Sequence, residues 1–260
     1  MVILKQYVVD AFTNRVFSGN PAAVCILDEW LNDQTMLLIA QENNLSETAF
    51  SVKQNGKYQL RWFTPGGEID LCGHATLATA FILMNEVDTT LKDVTFSTLS
   101  GDLTVTREDH LYRMTFPPFE LKRVEITQDI IDALGDTPTE VYLGRDLLCV
   151  FENSEQVIYL KPNIEKVKQL DGVLVHVTAP GTDTDCVSRS FAPKHSIAED
   201  PVCGSGHCHI APYWAKKLNQ TEVLAYQASS RGGTLYTTFK DGVLTLAGEA
   251  VLFAQSELYI

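Results

Sequence analysis

Two cysteines in this chain stand in matched surroundings. Arg61-Trp-Phe63-Thr-Pro65 leads through a polar loop to Cys72-Gly73-His74, and Arg189-Ser-Phe191-Ala-Pro193 leads through a longer loop to Cys203-Gly204-Ser205-Gly206. Each corner runs into helix-forming residues. A thiol just ahead of a helix start lies near unpaired backbone N–H groups and the positive end of the helix dipole, which favours the thiolate. The same N–H groups can hold a substrate carboxylate, and Gly73, Gly204 and Gly206 let a ligand approach the backbone closely. One such corner alone would read as a small residue at a tight turn. Two in the same context argue for a duplicated unit, with a two-sided site between similar halves.

Three other side chains could move or hold protons. Glu47 opens an apolar run, Glu47-Thr-Ala-Phe50, where a glutamate is out of place unless partnered. If it points inward, desolvation raises its pKa and suits it to general acid/base work near neutrality. The alternative is an exposed glutamate at a strand end. Asp200 sits before Pro201, which holds it extended, so it could bind an amine, orient a base, or be an ordinary loop acid. His74 shares the helix entrance with Cys72 and could titrate or donate a hydrogen bond.

Cys203, His207, Cys208 and His209 raise the question of zinc. Their spacing is wrong, because neighbouring residues on a helix splay around its axis. Neither Gly66-Gly67 nor Gly204-Ser-Gly206 matches a phosphate-binding or dinucleotide-binding loop, and Ser205 lacks the nucleophile-elbow pattern of serine hydrolases.

The elements that must position these residues are mostly strands. Alternating or β-branched runs predict strands over 2–10, 22–27, 47–53, 57–63, 93–98, 102–107, 111–116, 139–144, 148–152, 156–160, 172–178, 184–191, 222–228, 234–239, 243–247 and 251–258. Gln54-Asn55-Gly56 and Lys240-Asp241-Gly242 are hairpin turns. Helices are predicted over 33–43, with Asn32 or Asp33 as cap, over 75–86, which is apolar nearly all round and therefore buried, and over 206–219. Shorter ones fall at 127–134 and 163–169. A hydrophobic helix among many short strands describes a sheet rolled around a central helix, once per half. The fold class is α+β with two pseudo-symmetric halves. Residues 1–118 form the first, joined by the last strand at about 250–260, and 119–249 form the second, the switch lying near Pro117-Pro118.

Composition narrows the function. A net charge of −13 excludes a phosphate-neutralising surface and disfavours docking on anionic membranes, so neither nucleic acid nor membrane is a partner. No apolar run spans a bilayer and the N-terminus lacks a signal-peptide pattern, so a cytoplasmic location is expected, with the six cysteines as thiols.

Six motifs in order carry a resemblance over nearly the whole chain: Val9-Asp10-Ala-Phe12, Phe17-Ser-Gly19-Asn20-Pro21-Ala-Ala-Val24, Asn44-Leu-Ser-Glu47-Thr-Ala-Phe50, Arg61-Trp-Phe63-Thr-Pro65, Leu71-Cys72-Gly73-His74-Ala75-Thr76 and Glu199-Asp200-Pro201-Val202-Cys203-Gly204-Ser205. The chain resembles the phenazine-biosynthesis PhzF-like family. The resemblance implies the diaminopimelate epimerase-like fold, an active site between the halves, a homodimer, and an isomerase that needs no metal or organic cofactor. It implies that Glu47 moves a proton on a small carboxylate-bearing substrate, and that His74, Asp200 and Ser205 hold substrate and support the transfer. Cys72, Gly73, Cys203, Gly204, Ser205 and Gly206 then form the substrate-binding corners. The cysteine pair departs from the phenazine isomerase, where threonine stands at the position of Cys203. It matches the two-thiol racemases and epimerases, so Cys72 and Cys203 remain an alternative pair of acid/base groups. A non-catalytic binding protein is the third reading.

Overall fold

The computed structural model describes residues 2–195 and 197–260. The chain divides into two compact units, one containing residues up to Thr115 together with Ala247–Ile260, the other Phe116–Leu246.

The first unit begins with β1 (Ile3–Ala11), β2 (Asn20–Leu27), α1 (Asp33–Asn43), β3 (Glu47–Gln54), β4 (Lys57–Thr64), β5 (Gly67–Ile69), α2 (Gly73–Ile82), β6 (Asp93–Thr98), β7 (Gly101–Glu108) and β8 (Leu111–Phe116). The second comprises β9 (Lys122–Val124), α3 (Gln128–Leu134), β10 (Glu140–Leu143), β11 (Leu147–Val150), α4 (Ser154–Ile158), α5 (Ile164–Val167), β12 (Val175–Pro180), β13 (Cys186–Ala192), β14 (Ile197–Asp200), α6 (Gly204–Leu218), β15 (Glu222–Gln227), β16 (Gly233–Lys240) and β17 (Val243–Gly248). The last strand, β18 (Ala250–Tyr259), pairs antiparallel with β1.

The pairings repeat. In the first unit β1–β2 is antiparallel, β2–β3 parallel and β3–β4 antiparallel. On its other side β4 takes a short antiparallel strand, β5, and a parallel one, β6, which pairs antiparallel with β7. In the second unit β10 to β16 reproduce that series step by step, with β14 in the place of β5 and β15 in the place of β6. The duplicated corners therefore belong to a duplicated topology.

Local chemistry accounts for the main boundaries. Asn32 caps α1 by accepting the Thr35 N–H, and Asn44 ends it in the left-handed conformation, its N–H bonded to Ala40 O. The β3–β4 hairpin turns on Asn55 and Gly56, both with positive φ, the geometry that an Asn-Gly turn supplies. Helix α2 buries every residue from His74 to Ala80 and packs on β1, β2, β3 and β7. One helix touching strands so far apart in the sheet order means that the sheet curls around it. Helix α6 buries Gly206 to Ala215 and includes Pro212. Pro212 cannot donate to Cys208 O as a helical residue would, and the Phe119 N–H takes its place at 3.1 Å.

The strand predicted at 156–160 is the one clear misassignment. Asn153 accepts from Gln156 N while the Gln156 side chain returns to the Asn153 N–H, a capping box that starts α4. Two orphan N–H groups satisfied at once outweigh the β-propensity of Val157-Ile158-Tyr159. The short strands β5, β9 and β14 also carry no sequence signal of their own, and the helix predicted from 75 starts at Gly73 and widens into a π turn over Leu83–Val87.

The repeated Arg-x-Phe turns out to be structural in both units. Arg61 forks onto Glu68 with two 2.6 Å bonds, and Arg189 onto Glu199 at 2.7 and 2.9 Å. Each guanidinium also lies over the phenylalanine two residues on, Phe63 at 5.2 Å and Phe191 at 5.1 Å. The fork ties β4 to β5 in one unit and β13 to β14 in the other, the short strands that lead toward each corner. Arg189 in addition donates to Val157 O and Leu160 O at the end of α4. Arg189→Lys should lower stability by about 1.5–3 kcal/mol, since a lysine cannot serve a forked carboxylate and two carbonyls together. Urea denaturation would measure it, and an unchanged midpoint would refute the clamp.

Candidate functional site

In the first unit the chain brings Glu47, Cys72 and His74 together. Glu47 is the first residue of β3, in register with Ala22 of the parallel neighbour β2. Its direction follows from the turn before it. After Asn44 closes α1, the Asn43 amide donates to Thr48 Oγ1 and to Gln6 Oε1, while Gln6 Nε2 donates back to Asn43. That pins the start of β3, and the Glu47 side chain is left only 13% exposed. It points inward. His74 lies in the first turn of α2, and its side chain is 6% exposed.

His74 Nε2 and Glu47 Oε2 approach to 3.0 Å. The contact is too poorly aligned to count as a hydrogen bond, and among the described residues neither atom has another hydrogen-bond partner. Buried polar atoms normally find partners, so a facing pair without a formed bond calls for a functional explanation. On the other side of the ring, His74 Nδ1 lies 3.5 Å from Cys72 Sγ. The order in space is thiol, imidazole, carboxylate.

Electrostatics here differ from the reading of the corner as a thiolate. Cys72 is the N-cap of α2 but makes no capping bond with its side chain. Burial pushes its pKa up, the Glu47 carboxylate adds to that, and His74 only partly offsets it. A helix start contributes roughly 0.3–1 kcal/mol, under one pKa unit, whereas full burial moves a thiol by several. The proton stays on sulfur. Burial also opposes a charged His74, but its contacts with Cys72 and Glu47 outweigh that and raise His74 above its ordinary range.

The second unit places Asp200, Cys203, Gly204, Ser205 and Gly206 at the corresponding corner. Asp200 ends β14, and its Oδ1 accepts the Val202 N–H across Pro201. The Gln227 amide clamps this turn, donating to Asp200 O and accepting from Cys203 N. Cys203 Sγ accepts the Gly206 N–H at 3.3 Å and lies 3.4 Å from Ser205 Oγ. One N–H expected to be open to an anion is therefore occupied by the thiol itself. Burial, then the Asp200 carboxylate, raises the Cys203 pKa well above its usual value.

Sequence reasoning missed the network beneath this corner. Asp146 Oδ2 faces His176 Nε2 at 3.1 Å, Asp146 Oδ1 accepts the Leu174 N–H, and His209 Nε2 accepts the Asp146 N–H. His176 Nδ1 bonds Ser190 Oγ. His207 and His209 reach back through Nδ1 to Cys203 O and Ser205 O, the carbonyls of the first turn. A methyl group on Gly206 would stand 2.7 Å from the His176 ring, so the helix start rests on that ring. The available signal was a histidine inside an apolar strand, Leu174-Val-His176-Val, which must find a partner once buried.

Among the described residues, two groups of side chains could be read as metal ligands, Glu47/Cys72/His74 and Asp146/His176/His209. In the first, Cys72 and Glu47 address opposite nitrogens of one ring, which describes a hydrogen-bonded series rather than convergence on one ion. In the second the ring nitrogens are already committed to Asp146, Ser190 and Ser205. The four residues weighed for zinc part company too: Cys208 Sγ turns to Gly204 O while His207 and His209 take the partners above.

His207 and His209 are both pushed down to about 4, chiefly by burial. Their folded-state pKa lies below the unfolded value, so the unfolded chain binds more protons between about pH 6.5 and 4. Their contribution is complete above pH 6.5 and is lost as pH falls toward 4, by an amount on the order of 3 kcal/mol for each. Melting temperature should fall steeply over that window, and less steeply in His207→Gln. Parallel profiles for the two proteins would contradict the assignment.

The family described as "Phenazine biosynthesis-like protein" (PhzC-PhzF) matches residues 9–256. The chain belongs to this family. A PhzF-family crystal structure from Enterococcus faecalis is 49% identical, covers 100% of both chains and superposes with a TM-score of 0.98. Among curated PhzF relatives, an uncharacterized isomerase of Pseudomonas aeruginosa is 42% identical over 99% of each chain. A probable proline racemase from Agrobacterium radiobacter, 11% identical over 99% of this chain and 93% of its own, superposes with a TM-score of 0.68. At that identity it speaks for the fold alone, which is the diaminopimelate epimerase-like α+β architecture. Among the described residues of this PhzF member, no helix is long and apolar enough to cross a membrane.

Proposed function

We propose that the protein is an isomerase that moves a proton on a small carboxylate-bearing metabolite without a cofactor. Glu47 is the general acid/base, and His74 donates from Nε2 to the oxygen on which negative charge develops as the C–H proton leaves. Asp200 and the helix start at Cys203–Gly206 bind substrate, as do the Cys72 and Gly73 backbone groups. The name of the Pseudomonas relative, an isomerase, supports the reaction class. The observation that carries the reading is the buried, facing pair of Glu47 Oε2 and His74 Nε2, 3.0 Å apart, with no formed hydrogen bond among the described residues. A carboxylate oxygen beside a ring nitrogen can remove a proton and stabilise the resulting anion at neighbouring atoms.

The two-thiol racemase reading is weaker, because burial keeps the proton on both Cys72 and Cys203. The test is solvent-deuterium incorporation into a panel of small amino, hydroxy and unsaturated carboxylic acids, followed by mass spectrometry. Incorporation that persists in Cys72→Ser and Cys203→Ser and vanishes in Glu47→Gln supports the glutamate. Loss in either serine variant, with exchange retained in Glu47→Gln, would transfer the chemistry to the cysteines. A ligand that raises the melting temperature yet never exchanges a proton would mark a binding protein.

A further inference from the structure

We infer that Trp62 is a further substrate-binding residue, its indole N–H donating a hydrogen bond to an oxygen that arrives beside Glu47. The inference deepens the proton-transfer reading above and rests on it for what the bound molecule undergoes, though not for the presence of the donor.

The chain has three tryptophans. Trp30 Nε1 donates to Gln59 Oε1 at 3.2 Å, and Trp214 Nε1 donates to Thr178 Oγ1 at 2.9 Å. Trp62 is 1% exposed, yet its Nε1 has no hydrogen-bond acceptor among the described residues. An indole nitrogen can only donate, so no rotation of a neighbouring donor would satisfy it. A buried N–H without an acceptor carries its whole desolvation cost, and buried indoles normally avoid that by finding a partner. The other two buried side-chain atoms in this position, Glu47 Oε2 and His74 Nε2, are those assigned to the chemistry.

Strand register places this donor with them. Trp62 of β4 stands directly opposite Ala49 of β3, and Ala49 lies two residues after Glu47, so all three side chains share one face of the sheet. Ala22 and Val24 of β2, in register with Glu47 and Ala49, continue that face. The approach of His74 to Glu47 shows that α2 covers it. Residues pointing the other way, Cys25, Phe50 and Phe63, pack instead with Met36 and Ile39 of α1. Trp62 and Glu47 are therefore diagonal neighbours across the β3–β4 ladder, a spacing that an aromatic and a long side chain can bridge. Ala49, beside both, contributes only a methyl group. A neutral donor there suits a carbonyl, hydroxyl or carboxylate oxygen, and holding that oxygen would fix the C–H bond against Glu47. Such an oxygen belongs either to the substrate, as inferred, or to a buried water.

The experiment uses full-length 15N-labelled protein, in which each indole N–H gives its own 1H–15N signal. The Trp62 signal is identified by its loss in Trp62→Phe or, should that variant not fold, by elimination from Trp30→Phe and Trp214→Phe. The probes are the amino, hydroxy and unsaturated carboxylic acids of the exchange panel. An acid that binds should move the Trp62 signal more than the other two and abolish any cross-peak between that proton and a long-lived water. A Trp62 signal that no acid moves would overturn the inference, and so would a water cross-peak that survives saturation with every acid that binds. For an acid that exchanges deuterium, Trp62→Phe should lower kcat/KM about tenfold, the worth of one hydrogen bond. The loss should vanish for the analogue lacking the bonded oxygen; equal losses for both acids would mark Trp62 as structural only. A Trp62 shift combined with unimpaired exchange in Glu47→Gln would defeat the glutamate mechanism and leave the indole as a ligand donor.

Discussion

Replacing Glu47 by glutamine should lower proton transfer about 10²–10⁴-fold, the usual contribution of a positioned acid/base. Glutamine keeps the volume and can still face His74, so β3 and the Asn43–Thr48 contact that aims it are retained. What it loses is the ability to take a proton. The melting temperature should stay within a few degrees of wild type, which separates chemistry from folding. Glu47→Asp should fall between the two, because it keeps the carboxylate but withdraws it from His74 Nε2 by about one methylene length. An exchange rate within about fivefold of wild type in Glu47→Gln would remove Glu47 from the mechanism.

Asp146→Ala carries the largest expected cost in stability, about 3–5 kcal/mol, the range seen when one partner is removed from a buried polar pair. Asp146 is fully buried, and its two oxygens serve the Leu174 N–H and His176. Truncation strands both donors and opens a cavity beneath Gly206 and the start of α6. Asp146→Asn should cost less, since Oδ1 can still accept from Leu174, but its amide N–H₂ obliges His176 to present a lone pair. Urea denaturation followed by tryptophan fluorescence measures both. A loss under about 1 kcal/mol in Asp146→Ala would mean that the network contributes little.

The parts of the site that lie close in sequence are legible in the sequence. Glu47 at the head of an apolar strand, and Cys72 and His74 at a helix entrance, follow from local pattern, as does Asp200 held extended by Pro201. The capping box at Asn153 and Gln156 is equally local, and it shows how a side-chain bond can overrule β-propensity over a few residues. By contrast, Asp146, His176 and His209 come from a loop, a strand and a helix separated by at least 30 residues. No spacing rule links them; each lone buried polar residue announces only that some partner must exist.

The sequence by itself determined the duplication, the two helix-start corners and the α+β class, because each depends on short-range periodicity, turn residues and repeated motifs. Tertiary structure decided the protonation states. Helix-start position alone favoured thiolates at Cys72 and Cys203, yet burial and the neighbouring Glu47 and Asp200 carboxylates raise both. Local dipoles are worth a fraction of a pKa unit and desolvation several, and how far a side chain is desolvated depends on residues that only the fold brings near.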